Sequence, residues 1–145
     1  MVFLAGPVDG FRFYTDLSVR FAETDAQGIA HNAEYLVWYE VGRVAYLGRF
    51  RGGYPELQRE GLEALTTEVH VRYLAPARFA DELRVHVRSV DVRGARFRFE
   101  YAIVNMGNGT LVADGWTQHA VVEARSLRPT RVPAWLAEAI ATAET

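Results

Sequence analysis

The sequence predicts an α+β protein in which a five-stranded antiparallel sheet wraps around one long helix, and three observations carry that expectation. One apolar stretch, Asn32 to Leu47, has the start and stop signals of a helix. Four later stretches alternate apolar and polar residues with a period of two. Short glycine-bearing breaks separate several of them, which suits antiparallel neighbours. A chain of 145 residues fits one domain over residues 1–145. That length can bury a core without disulfides or a structural metal.

The first strand is expected over Phe11 to Phe21, with Phe13, Leu17, Val19 and Phe21 as its apolar positions. A polar loop, Ala22 to Ala30, follows. In the helix after it, Asn32 is the expected N-cap, Glu34 sits in the first turn, and Gly48 stands at the end. Leu36, Val37, Trp38, Tyr39, Val41, Val44, Ala45 and Leu47 make this helix apolar almost all round, with Glu40 and Arg43 among the polar exceptions. Such a helix should be buried on most sides, by the sheet or by a partner subunit. Arg49 to Gly61 reads as an irregular connection rich in Gly, Pro and charge. The remaining strands are expected over Leu65 to Leu74, Glu82 to Val92, Arg96 to Asn105 and Thr110 to Glu123. Pro76 to Asp81, Arg93-Gly94 and Gly107-Asn108-Gly109 supply the breaks. Pro133 to Thr142 reads as a closing helix with proline in its first turn. A two-layer sandwich with a helix at one end fits the same element order, but the all-round apolar helix favours wrapping.

Composition removes several functions. Cysteine is absent, which excludes thiolate nucleophiles and Cys-based zinc sites. The net charge of -2 gives no reason to expect a nucleic-acid partner. No apolar run is long enough to cross a bilayer, and Met1 to Pro7 lacks the basic start of a signal peptide. All 16 basic residues are arginines. Arg72, Arg78, Arg84, Arg88, Arg93, Arg96 and Arg98 fall in the strand region and are expected to pair with Glu68, Asp81, Glu82, Asp91 and Glu100 across the sheet. His70, His86 and His119 read as half-exposed strand residues without metal-ligand spacing.

Arg20 to Leu47 reads RFAETDAQGIAHNAEYLVWYEVGRVAYL. This segment resembles the signature of the hotdog-fold thioesterases related to 4-hydroxybenzoyl-CoA thioesterase and the Tol-Pal-associated acyl-CoA thioesterases. The pattern is an aspartate, two variable residues, a glycine, a short aliphatic stretch, then an aromatic-rich helix carrying Glu-x-x-Arg. Here those positions are Asp25, Gly28, Ile29, Tyr35, Trp38, Glu40 and Arg43. Val71 to Val85, VRYLAPARFADELRV, is similar to the family's Pro-x-x-x-x-Asp strand turn.

The resemblance implies a hotdog fold and hydrolysis of an acyl-CoA thioester, with Asp25 as base or nucleophile. It puts the Asn32 backbone N–H at the carbonyl-polarising position, with Gly28 and Tyr35 beside it. Some members carry a histidine four residues after the glycine; that place is Asn32 here, and His31, one earlier, is expected at the cleft entrance. Glu40 and Arg43 read either as a structural pair or, as in another hotdog branch, with Glu40 as the acid. Trp38, Trp116, Tyr35 and Phe79 are candidates for the pocket wall or for ordinary core. A subset of the arginines would hold the CoA phosphates.

The chemistry stands beside the resemblance. A thiol leaving group with a pKa of about 8.5 departs without a strong general acid. One carboxylate and one set of fixed donors then suffice. The expected protein is a cytoplasmic homo-oligomer, dimer or tetramer, without metal or redox cofactor and without membrane insertion. The alternatives are an acyl carrier protein thioesterase and a non-catalytic acyl-CoA-binding domain.

Overall fold

The computed structural model describes residues 8–145. Met1 to Pro7, and the expectation that they form no signal peptide, lie outside the described residues. Strand β1 spans Phe13–Ser18, helix α1 Glu34–Gly48, helix α2 Tyr54–Arg59, strand β2 Leu62–Tyr73, strand β3 Glu82–Arg93, strand β4 Arg96–Asn105, strand β5 Leu111–Glu123 and helix α3 Ala134–Ala143. The five strands form one antiparallel sheet in the order β1-β3-β4-β5-β2, with β1 and β2 at its edges.

Two elements differ from expectation. The first strand stops at Ser18, and Phe21–Glu23 is a 3₁₀ turn. The turn closes because the Glu23 side chain accepts the Arg20 backbone N–H at 2.8 Å, a local bond that competes with the strand ladder. The connection Arg49 to Gly61 contains α2, started by Pro55 in its first turn. Proline there serves a helix start instead of marking irregular chain.

Helix α1 is not covered all round. Tyr35, Trp38, Tyr39, Gly42, Arg43, Tyr46 and Leu47 recur at helical spacing and are buried. Leu36, Val37, Val41 and Val44 on the other side are 40–46% exposed. The helix comes so close to the sheet that a Cβ on Gly42 would lie 2.8 Å from Val87 and 2.9 Å from Val85. Phe97, Phe99, Tyr101 and Ile103 are the buried alternate positions of β4. Tyr39 stacks on Tyr101 with ring centroids 4.0 Å apart, and Tyr46 meets Phe99 edge to face at 5.6 Å.

A polar chain runs through this core. Arg43 donates to the Tyr54 hydroxyl at 3.0 Å and to the Tyr101 hydroxyl at 3.1 Å. Tyr101 Oη lies 2.6 Å from Thr117 Oγ1, which lies 2.7 Å from His119 Nε2. Arg43 can only donate, so both phenol oxygens accept from it. At the far end of the chain the His119 ring reaches Thr66, with Nδ1 3.4 Å from Thr66 Oγ1. The histidine is held neutral, one ring nitrogen donating and the other accepting: burial first, and then the charge of Arg43, push it down to about 3. His119 is 1% exposed, not half-exposed as expected. It shares the inward face of β5 with Ala113, Thr117 and Val121.

The expected Glu40–Arg43 pair does not form. Arg43 turns under the helix to the two phenols, while Glu40 remains exposed. Among the described residues, no carboxylate forms an ion pair with Arg43. On the outer sheet face, register selects the partners. Arg88 pairs with Glu100 at 2.7 Å as expected, but Arg72 takes Asp114 and Arg84 takes Asp16, each directly opposite. Arg93 takes Asp91, two residues before it. Arg98 lies over the Trp116 ring at 4.0 Å.

Candidate active site

The segment between β1 and α1 is folded by its own short-range bonds. Asp25 N–H donates to the Ile29 carbonyl and Gly28 N–H to the Asp25 carbonyl, both at 2.9 Å, making a small hairpin. Gly28 adopts φ +80°, a conformation L side chains rarely hold. Asp25 Oδ1 accepts the Gln27 N–H at 2.8 Å. Among the described residues, nothing donates to Oδ2.

Glu23 fastens this hairpin to the core. Its buried carboxylate accepts Trp38 Nε1 at 3.1 Å as well as the Arg20 N–H, and its carbonyl accepts the His31 N–H at 2.8 Å. Burial would raise the Glu23 carboxyl, but these donors outweigh it and hold it below its ordinary value. On the other side, Ala30 N–H donates to the Ala77 carbonyl at 2.8 Å in the β2–β3 connection.

Helix α1 begins differently from the expectation. Its N-cap is Ala33, not Asn32. His31 caps instead: Nδ1 accepts the Ala33 N–H at 3.1 Å, and the His31 carbonyl accepts the Glu34 N–H at 3.0 Å. Asn32, displaced from the cap, keeps a backbone N–H with no acceptor among the described residues. Its carbonyl accepts the Tyr73 hydroxyl at 2.9 Å.

These residues surround a cleft of about 470 Å³ lined by Asp25, Ile29, Asn32, Tyr35, Tyr73 and Pro76, among others. The Tyr35 and Tyr73 rings meet edge to face at 4.9 Å. Asp25, Asn32 and Tyr35 are therefore brought together. Gly28 shapes the turn without lining the cleft, and His31 builds the helix start. Glu40 stands apart, on the outward groove of α1 with Val37, Val41 and Val44. Of the other pocket-wall candidates, Trp38 is core, Trp116 stacks on His70 on the outer sheet face, and Phe79 packs edge-on against Phe21. Sequence reasoning missed Tyr73 and Glu23. The sequence gives no sign of the Tyr73 contact, which spans 41 positions; Glu23, three residues after Arg20, fits a local capping pattern.

A sheet curled on one helix, with a loop carboxylate facing a helix start, defines the hotdog thioesterase class. The chain belongs to the thioesterase-like superfamily, which its residues 19–140 match. It is 31% identical to the putative acyl-CoA thioesterase YneP of Bacillus subtilis, over 79% of this chain and 82% of that protein. It is 28% identical to the acyl-CoA thioester hydrolase YbgC of Escherichia coli O6:H1, over 83% of this chain and 90% of that one. Among solved structures, it resembles a thioesterase from Thermus thermophilus complexed with coenzyme A and Zn. The TM-score there is 0.79 and the identity 29%, covering 94% of this chain and 96% of the other. Among the described residues, no three His, Asp or Glu side chains are grouped to hold a metal ion. No helix among them is long and apolar enough to cross a membrane.

Proposed function

We propose that the protein hydrolyses acyl-CoA thioesters to the free acid and CoA, with Asp25 as the catalytic carboxylate and the Asn32 N–H as the carbonyl-polarising donor. One observation carries this reading: Asp25 and Asn32 line one cleft, and an Asp25 oxygen and the Asn32 N–H are both without protein partners among the described residues. Groups left unsatisfied in this way are available to substrate. The thioester carbonyl would sit against the Asn32 N–H at the positive end of α1, where charge developing on oxygen is stabilised. Asp25 either draws a proton from water as it attacks or attacks the carbonyl itself to give a mixed anhydride that water then opens. In both courses the C–S bond breaks and CoA leaves as a thiol. In the first the acid takes its new oxygen from water. In the second it leaves with an Asp25 oxygen, which water replaces by opening the anhydride at the Asp25 carbon. Single turnover in H₂¹⁸O separates them, since label enters Asp25 only in the second.

The CoA end needs cations. Arg78 stands two residues beyond Pro76 at the cleft, exposed, and its guanidinium is in no ion pair among the described residues. Free CoA should inhibit competitively, less so with added salt. Arg78→Ala should raise KM for acyl-CoA and leave pantetheine thioesters unaffected. Equal efficiency of the wild type on both substrates would overturn the CoA assignment.

The same reading makes the protein a cytoplasmic homo-oligomer, dimer or tetramer. The apolar outward face of α1 and the unpaired outer edge of the 12-residue strand β2 support it. A monomer by light scattering at micromolar concentration would contradict this.

A further inference from the structure

We propose that Tyr73 is the positioning residue of the carbonyl-polarising donor: its hydroxyl holds the Asn32 backbone so that the Asn32 N–H faces the cleft. This rests on the reading of Asn32 given above and adds a residue from the edge of the sheet to it.

The start of α1 departs from regular helix geometry. In a regular α-helix the carbonyl of residue i accepts the N–H of residue i+4. The Asn32 carbonyl would then take the Leu36 N–H. Leu36 instead donates to the Ala33 carbonyl at 3.2 Å, one residue later. Asn32 precedes the Ala33 N-cap, so its carbonyl lies outside the helix ladder, and Tyr73 Oη donates to it at 2.9 Å. The neighbours of Asn32 are both engaged, His31 N–H by the Glu23 carbonyl and Ala33 N–H by His31 Nδ1. Asn32 is held on both sides: the peptide that carries its N–H is fixed by the bond from the Glu34 N–H to the His31 carbonyl, and the peptide that carries its carbonyl is fixed by the bond from Tyr73. Without the Tyr73 bond, the Asn32 carbonyl has no partner among the described residues and the turn that carries the Asn32 N–H is held less firmly.

The phenol is well placed to stay fixed. Tyr73 is the last residue of β2, held through the register pair with Ala113, and its ring meets Tyr35 edge to face. Tyr35 is 3% exposed and belongs to α1 itself. One side chain therefore measures the distance between the end of β2 and the start of α1. A donor aimed in advance at the developing oxyanion needs such a support, because a loosely held N–H loses most of its value.

Tyr73→Phe tests this, since it removes one oxygen and keeps the ring pair. The expected result is a kcat lower by about tenfold, less than the loss of an oxyanion donor itself, with KM changed less than about twofold and the melting temperature unchanged. Tyr73→Ala should show the same kcat loss and a lower melting temperature, because it also removes the ring. A Tyr73→Phe enzyme with wild-type kcat would overturn the proposal and leave Tyr73 a packing residue. So would a Tyr73→Phe loss that appears wholly in KM. Asp25→Asn, measured beside it, keeps the two readings apart. An active Asp25 variant with a slowed Tyr73→Phe enzyme refutes the carboxylate and retains the positioning role. An inactive Asp25 variant with an unaffected Tyr73→Phe enzyme does the reverse.

Discussion

The two polar regions beside α1 are built on opposite principles. Under the helix, Arg43, Tyr101, Thr117 and His119 form a chain in which each member takes the hydrogen its neighbour offers. At the start of the helix, Asp25 and Asn32 are each left with a capacity that no described residue fills. The first region is buried and the second opens on a cleft. Saturation is what a low-dielectric core requires, since a buried polar group without a partner is costly. Unsaturation at an open cleft costs little, because water or substrate can supply the missing partner. Among the residues compared, those beneath the helix serve stability and those before its start are available for chemistry.

That division predicts where substitutions act. The largest expected loss of stability is at the middle of the buried chain. Thr117→Val keeps the shape of the side chain but leaves the Tyr101 hydroxyl and His119 Nε2 each short of a partner. Stability should fall by about 2 kcal/mol, lowering the melting temperature by about 5 °C. Turnover per folded enzyme should stay within about twofold. A Thr117→Val enzyme that is stable but slow would erase the distinction between the two regions.

The same chain predicts a pH dependence. His119 is held at about 3 in the folded protein, against an ordinary 6.5 for an unhindered ring. Between those values the unfolded chain binds a proton that the native chain refuses. Its contribution to stability is therefore complete above the unfolded value and is lost as pH falls through the window. The slope should be on the order of 1 kcal/mol per pH unit. His86, lowered by burial and by Arg84, acts in the same direction. Denaturant titrations between about pH 7 and about pH 5 should show a shallower slope for His119→Gln than for wild type. Equal slopes would mean that His119 is not buried in its neutral form.

The smallest effect is expected at Glu40. It is exposed on the outward face of α1 and does not pair with Arg43. Glu40→Gln should change stability by no more than about 0.5 kcal/mol and leave turnover intact. A folded but inactive variant would move the acid onto the helix.

The sequence foretold the architecture better than the contacts. Strands β3 and β4 and helix α1 fall within about two residues of expectation, because their signals are local: period-two alternation, glycine breaks and a helical apolar face. Helix α2 was hidden by the Gly and Pro that also mark loops. Asp25, Asn32 and Tyr35 were legible through the motif around them, and they do share a cleft. His31 was misread because Asn is the better cap by general preference, whereas the observed cap uses an imidazole nitrogen. The burial of His119 was legible in the alternation of β5, where it stands in step with Thr117 and Val121. Tyr73 was not, since a bond across 41 positions depends on the register of β2 on β5. Side-chain partners are tertiary facts, and a pattern along the chain reaches only those that lie close in sequence.

Turnover of acyl-CoA by Asp25→Asn bears most directly on the assignment of the catalytic carboxylate. The amide keeps an oxygen to accept the Gln27 N–H, so the hairpin should persist and the melting temperature should move little. What disappears is the basic and nucleophilic carboxylate in the cleft. Turnover should fall by at least ~100-fold, the scale of a positioned acid–base group, while acyl-CoA still binds. A folded Asp25→Asn enzyme that turns over acyl-CoA at the wild-type rate would contradict the assignment.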